Sequence, residues 1–529
     1  MTPGDHAAAL PRPGAATGYL RRLATTGAAY TAASIVSKLI AVALLPLYTR
    51  YLSLEDYGAA EVMFVAVVTA SIAIRLGMIE ALLRFYYKDD EDPGRVVATS
   101  FAALFWLSTA AALVALPFAK PISEALLRES APDLARISIG GLWVLTMVEY
   151  LLTLFRLEER ARAFFLTTIL NVLAAIVLTV VLVVVAEEGA RGLLLGSYAS
   201  GAAVVLALIF VHRGRLSLRI DRGLLRRLMR FGLPTMPAEL SLYMLNFVDR
   251  IILIRYAGAA EVGLYALAVK FAQGVNVLVR GFQLAWPPLA YSIRDDGEAR
   301  RAYAAIVTWF VAGCAFVVTG MWLLSRWIVR ALAAPEYFGS YKAIGLVATG
   351  VTLYALYMVL VVILGRTGRT GYNFPATAAA LVANIALNLV LVPPLGIVGA
   401  GLSLVASYFV VLGLMYVFTQ RLFPVPYEWG RLGRIVLVSV VLVGAGELLL
   451  PTAGAAGFLG RAVLWAVYPF ALLATGFFTP GERRWLAGFR RPGALIRRLR
   501  ALRPIPAAAV DGTIPETYEA ELLDEDTRL

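Results

Sequence analysis

Residues 164–186 read FFLTTILNVLAAIVLTVVLVVVA, 23 positions without a charge. As a helix rising 1.5 Å per residue this run spans about 34 Å, enough to cross the ~30 Å hydrocarbon core of a bilayer. Arg160 and Arg162 precede it, and Glu187, Glu188 and Arg191 follow it. Comparable runs recur from Thr25 to Thr479. Of the 529 residues, 60% are hydrophobic and only 16% charged, and the mean hydropathy is +0.76. Soluble domains carry about 25% charged residues, and a water-soluble fold of this length cannot bury so much apolar surface. The chain reads as an all-α polytopic membrane protein.

Breaks between the runs predict fourteen transmembrane spans: 25–48, 59–84, 97–119, 137–157, 164–186, 192–211, 233–256, 262–289, 303–329, 341–365, 374–393, 397–419, 434–450 and 462–479. Arginines concentrate in alternate loops. Seven lie between Arg213 and Arg230, and further groups surround Arg84, Arg156, Arg300, Arg366 and Arg431. The positive-inside rule then places both termini in the cytoplasm, which requires an even number of spans. The same rule accounts for the net charge of +13 without nucleic acid as a partner. Residues 1–18 lack the apolar core of a cleaved signal peptide, so the first span reads as an uncleaved anchor.

Several chemistries are excluded. Cys314 is the single cysteine, and His6 and His212 are the two histidines, too few for a His-rich metal site. No GxxxxGK[ST] loop occurs, and the longest predicted outer loop, about Lys120 to Arg136, holds no histidine and no acid–base pair for an enzyme. The expectation is a non-enzymatic protein with no cofactor and no metal. After Pro480, residues 481–503 carry eight arginines around Trp485, Phe489, Leu495 and Leu499, suiting anionic headgroups. Residues 505–529 hold seven acids and read as a disordered tail.

An internal repeat organises the rest. Arg50, Tyr51 and Gly58 recur as Arg255, Tyr256 and Gly263 at an offset of 205, and Gly189 and Gly192 recur as Gly396 and Gly399 at 207. Six spans separate the copies, so both insert with the same orientation, a parallel repeat. The predicted organisation is a cytoplasmic segment 1–24, an N-lobe 25–211, a basic cytoplasmic linker 212–232, a C-lobe 233–419, spans 13–14 within 434–479 and a cytoplasmic tail 480–529. Two six-helix lobes about an axis along the membrane normal leave a cavity between them, a transporter architecture.

Lys38, Arg75, Glu149, Asp249, Arg250, Lys270 and Arg280 lie inside predicted spans. Each costs about 2.5–3.5 kcal/mol at a helix centre against lipid, so they must face one another or a wet cavity. On the eighth span Lys270, Gln273, Asn276, Arg280 and Gln283 share one helical stripe, and on the seventh Glu239, Tyr243, Asn246 and Arg250 share another, with Asp249 at its edge. Lys270 and Arg280 have no carboxylate between them on their stripe. Such an unmatched cationic lining suits a phosphate or pyrophosphate, which arginine grips bidentately. Internal ion pairs with acids such as Glu239 or Asp249 are the structural alternative.

Several stretches resemble a known family. They are Leu45-Pro46-Leu47-Tyr48-Thr49-Arg50-Tyr51-Leu52 with Glu55-Asp56-Tyr57-Gly58; Gly77 to Arg84 with Tyr86; Asp249-Arg250; Gly263-x-Tyr265-x-Leu267-Ala268-x-Lys270; and Asn384-x3-Asn388-x4-Pro393 leading into Gly396-x2-Gly399-Ala400. Their order over roughly residues 20–425 resembles the Wzx-type O-antigen flippases of the multidrug/oligosaccharidyl-lipid/polysaccharide (MOP) exporter superfamily. The resemblance implies a bacterial inner-membrane flippase for undecaprenyl-pyrophosphate-linked oligosaccharide, working by alternating access in polysaccharide biosynthesis. The implied partners are the lipid-linked oligosaccharide, membrane lipids and polysaccharide polymerase or export proteins. It implies Lys38, Arg75, Asp249, Arg250, Lys270, Gln273, Asn276 and Arg280 as substrate-binding positions, and a groove for the lipid tail at spans 13 and 14. A cation antiporter and a lipid II flippase of the same superfamily are the alternatives.

Overall fold

The computed structural model describes residues 44–87, 91–293, 295–479 and 482, and among these the secondary structure is helical. A short helix, α1 (Leu45–Tyr51), opens on Pro46 in its first turn and leads into α2 (Leu54–Arg75). Ser53 caps α2 by accepting from Asp56 N at 3.0 Å, and Glu55 and Asp56 favour the positive end of its dipole. The second predicted span, 59–84, is therefore two helices. Leu76 and Gly77 both take left-handed φ values of 49° and 68°, ending α2 and starting α3 (Met78–Phe85).

The chain continues through α4 (Pro93–Ala115), α5 (Ala119–Leu127), α6 (Pro132–Leu157), α7 (Ala161–Val180), extended by a wide turn over Val181–Val185, and α8 (Gly189–His212). The predicted linker contains a helix, α9 (Arg222–Gly232). Leu224 and Leu228 are buried on one face, with Arg222, Arg226 and Arg230 exposed on the other. Asp221 caps it, accepting from Gly223 N and Leu224 N at 2.9 and 3.1 Å, and pairs with Arg95. The Leu224 N–H, then Arg95, hold the Asp221 carboxyl below the usual carboxylate range.

The second half comprises α10 (Met236–Tyr256), α11 (Ala259–Ala272), α12 (Val275–Ser292), α13 (Asp296–Leu332), α14 (Tyr341–Arg366), α15 (Asn373–Leu395), α16 (Ile397–Leu422), α17 (Trp429–Leu449) and α18 (Gly454–Ala474). The eighth predicted span, 262–289, is broken. Gly274 N bonds Phe271 O and Asn276 N bonds Gln273 O, tight i→i−3 turns that separate α11 from α12. Eleven helical segments among the described residues are long and apolar enough to cross a membrane. Helix α10 and the α11–α12 pair occupy the seventh and eighth predicted spans, but carry Glu239, Asp249, Arg250, Lys270 and Arg280. Of the first predicted span only residues 44–48 are described.

Two compact units divide the chain. In the smaller, the described residues are Leu472–Thr479 and Glu482, with Glu482 Oε2 accepting from Thr479 N at 2.7 Å. The larger, 29–471, holds every other element, and in it contacts recur at the offset of the sequence repeat. A Cβ on Gly58 would lie 1.9 Å from Ala259 O, and one on Gly263 would lie 2.4 Å from Leu54 O. Leu54 and Ala259 are themselves 205 residues apart, so α2 and α11 cross at glycines through backbone alone. Asp56 accepts from Ala190 N at 3.4 Å, and Glu261, its equivalent, accepts from Ile397 N at 3.3 Å. Gly189 and Gly396 stand at those two helix starts with φ of 50° and 53°, a left-handed geometry that glycine adopts without strain.

Candidate functional site

The crossing of α2 and α11 marks one end of a charged interior. Tyr337, fully buried in the turn Pro335–Ser340, donates to Leu52 O and Ser53 O at 3.0 Å, and Ala334 N donates to Thr49 Oγ1. Arg128 donates to Arg255 O at 2.7 Å. These contacts tie residues of the predicted N-lobe to residues of the predicted C-lobe.

One helical turn past Gly58 on α2 stands Glu61, buried at 7% exposure. Its Oε1 is 2.6 Å from Lys270 Nζ, and its Oε2 is 3.9 Å from Arg250. Tyr57 lies beside the same ammonium, 4.8 Å from Nζ to the ring centroid. Behind Arg250, Asp249 is fully buried and accepts from Asn388 Nδ2 at 2.7 Å and from Tyr265 OH at 3.1 Å. Asn388 Nδ2 also bonds Asn384 O. A buried carboxylate is tolerable only when its oxygens are satisfied in this way.

Fourteen residues further along α2, about 21 Å at 1.5 Å per residue, is a second cluster. Arg75 pairs with Glu149 of α6 and reaches Glu239 of α10 at 3.5 Å. Tyr243 lies within electrostatic range of Arg75, Arg280, Glu149 and Glu239 together. Arg280 is exposed; its bond is to Gln283 Oε1 at 3.4 Å, and among the described residues no carboxylate lies within ion-pair distance of it. Arg75 and Arg280 are 205 residues apart, so they are equivalents in the repeat.

With this geometry in view, residues 23–292, just over half of the chain, match the family described as polysaccharide biosynthesis protein. The chain belongs to that family. No curated protein matches it in sequence. Among solved structures it is similar to the lipid II flippase MurJ in an inward closed conformation, with a TM-score of 0.67 at 12% identity, covering 84% of this chain and 97% of that one. It is also similar to a multidrug-resistance MATE family transporter of the MOP superfamily. The inward-facing form gives a TM-score of 0.61 at 17% identity, covering 73% and 95% of the two chains. The outward-facing form gives 0.56 at 17%, covering 76% and 94%. At these identities the likeness is one of fold: this polysaccharide biosynthesis family member shares the all-α membrane fold of those transporters.

The family chain's predicted site residues fall into separate groups. Arg250 and Lys270 meet at Glu61; Arg75 and Arg280 line the second cluster; Asp249 faces away, toward Asn388. Gln273 and Asn276 flank the break between α11 and α12, and the predicted continuous stripe from Lys270 to Gln283 does not exist. Lys38 lies outside the described residues.

The unmatched cationic lining expected of Lys270 and Arg280 is overturned for Lys270, which pairs with Glu61; Arg75 pairs with Glu149. The acid beside Lys270 is Glu61, not Glu239 or Asp249. Arg280 has no carboxylate within ion-pair distance among the described residues.

The apolar surroundings also differ from expectation. A cavity of about 830 Å³ is lined by α13, α14, α16 and α17, including Trp322, Leu353, Leu412, Ile435 and Val440. A second, about 860 Å³, lies between α12 and α13 at Leu278, Phe282, Trp309 and Val317. Helix α17, the thirteenth predicted span, borders the first; no residue of α18 lines either.

Proposed function

We propose that this protein is a flippase that moves a polyprenyl-pyrophosphate-linked oligosaccharide across the bacterial inner membrane by alternating access. The observation that carries the reading is Arg280. Its guanidinium is exposed on α12, has no carboxylate within ion-pair distance among the described residues, and lies, like its repeat-equivalent Arg75, within electrostatic range of Tyr243. An arginine within a predicted span is costly against lipid and is expected to face a polar path, and pyrophosphate accepts two parallel N–H bonds from one guanidinium. Family membership supports a glycan-linked cargo.

In this reading the lobes are 25–211 and 233–419, both termini face the cytoplasm, and the Gly58–Gly263 crossing closes the outer side. The Arg75–Arg280 region then opens inward, and the apolar cleft between α12 and α13 accommodates the polyprenyl chain. Replacing Arg280 by Gln removes the charge and keeps polarity. The expected result is normal membrane abundance, loss of polysaccharide export and accumulation of lipid-linked intermediates in the inner leaflet. Full export by Arg280→Gln would refute the assignment.

A second reading, a cation antiporter, draws on Glu149 and Glu239, whose side chains are 36% and 34% exposed. It predicts energy-dependent extrusion of cationic dyes, lost in Glu149→Gln. Lipid II, with the same pyrophosphate, is the alternative cargo, and binding of glycans of different composition separates it from an oligosaccharide precursor.

A further inference from the structure

We propose that Glu61 is an internal stand-in for the cargo's anion. It holds the Gly58 end of the two lobes shut through Lys270 and Arg250 until the pyrophosphate takes its place. This rests on the flippase reading for the identity of the anion but not for the latch itself.

Three observations carry the inference. Glu61 belongs to α2, whereas Lys270 and Arg250 belong to α11 and α10, so the ion pairs join the two halves of the repeat. The pairs lie directly beneath the glycine crossing: Glu61 is three residues from Gly58, and Lys270 is seven from Gly263. Separating α2 from α11 at the crossing necessarily separates Glu61 from Lys270. The two partners are also unequally covered. Glu61 keeps 9% of its side chain exposed while Lys270 keeps 32%, so the lysine side of the pair is the more open to a second anion.

Glu61 faces Lys270, Arg250 and the Tyr57 ring, and the buried Asp249 lies on the other side of Arg250. A pyrophosphate brings more negative charge and more acceptor oxygens than a carboxylate, so it competes for Lys270 and Arg250. Displaced, Glu61 would be a buried acid without a cation, which is unfavourable. Opening the crossing to water relieves that cost. Cargo binding and opening are thereby linked through one side chain, and a ligand shifts such an equilibrium only by binding the two states differently.

The test uses spin labels at Tyr51→Cys and Tyr256→Cys, the exposed repeat-equivalent positions at this end, in a Cys314→Ser background reconstituted in nanodiscs. Pulsed dipolar spectroscopy reads the distance between them. The probes are inorganic pyrophosphate and a short-chain polyprenyl pyrophosphate carrying one sugar.

The expected result is a single short distance without ligand and a longer population with the lipid probe. In Glu61→Gln the longer population should already be present, raised about tenfold or more, because Lys270 and Arg250 lose the carboxylate that holds them to α2. Lipid probe should then add little. Should Glu61→Gln fold poorly, Glu61→Gln/Lys270→Gln, which leaves no stranded lysine, must show the same long distance.

Folded variants that retain the short distance overturn the latch. Opening in Glu61→Gln with no response of the parent to either probe upholds the latch and overturns the pyrophosphate reading instead. Equal opening of Glu61→Gln and of the parent, each only with probe, overturns the exchange.

Discussion

Arg75 and Arg280 occupy equivalent places in the two halves of the chain and have met opposite fates. Arg75 is held by Glu149 and reaches Glu239, with 13% of its side chain exposed; Arg280 is exposed and bonds a glutamine. The glycine crossings and helix-start acids, by contrast, stayed alike in both halves. Contacts that set the frame, such as Gly58 on Ala259 and Gly263 on Leu54, tolerate no side chain. Charges lining the interior are free to diverge, and where they diverge the halves acquire different tasks. In this account Arg75 fixes α2 to α6 and α10, and Arg280 meets the cargo.

The largest effect should come from disturbing the frame. Gly58→Leu or Gly263→Leu drives a side chain into the backbone of the facing helix, and the expected outcome is loss of folded protein in the membrane, seen as absent monodisperse material. Gly281→Ala, where a Cβ meets nothing within 4 Å, should be neutral. Equal tolerance at Gly58 and Gly281 would break the comparison at its root.

Next are the arginines. Arg75→Gln strands two carboxylates; because both are about a third exposed, the expected loss is about 2–3 kcal/mol rather than the full cost of a buried pair. Glu149→Gln added to it should restore part of the lost abundance and melting temperature. Arg280→Gln should leave both unchanged. Identical thermal behaviour of the two single variants would erase the distinction.

Smaller still is Asn388→Ala, which leaves Asp249 with Tyr265 as its hydrogen-bond donor and should cost about 1–3 kcal/mol, read from thermal unfolding. The smallest effect is at Asp221. Its folded-state pKa is depressed, so the stability it confers is present above the unfolded value near ~3.9. That stability disappears as pH falls through the folded value. The small melting difference between the parent and Asp221→Asn should therefore be present at neutral pH and vanish in strong acid.

Much of this was legible in the sequence. Apolar runs near 20 residues leave few alternatives to helices in lipid, and the paired Gly58/Gly263 and Gly189/Gly396 spacings correspond to contacts at the same offsets. The family stretches Asp249-Arg250, Tyr265 and Asn384-x3-Asn388 converge as one hydrogen-bonded group. Glu61 was missed for a physical reason. Hydropathy put the second span's start at residue 59, which makes Glu61 an interfacial acid, whereas Ser53 capping begins the helix at Leu54 and carries Glu61 two turns inside. Helical spacing likewise treated 262–289 as one rod. The turn at Gln273–Gly274 depends on local hydrogen bonds that periodicity does not register.

Topology is open to direct test as well. Phosphatase fusions near Gly189, Pro393 and Gly454 should be active, and fusions near Asp221 and Gly368 silent.

The most direct test of the central claim is flipping in reconstituted vesicles. Purified protein is incorporated with a fluorescent polyprenyl-pyrophosphate oligosaccharide, and the fraction reachable by an impermeant quencher is followed in time. The account predicts rapid exchange of the lipid between leaflets by the parent protein. It predicts a drop of about tenfold or more in Arg280→Gln, the loss expected when a charge-assisted bond to phosphate is removed. Undiminished exchange by Arg280→Gln, or a parent that leaves the lipid in place while exporting a cationic dye, would contradict it.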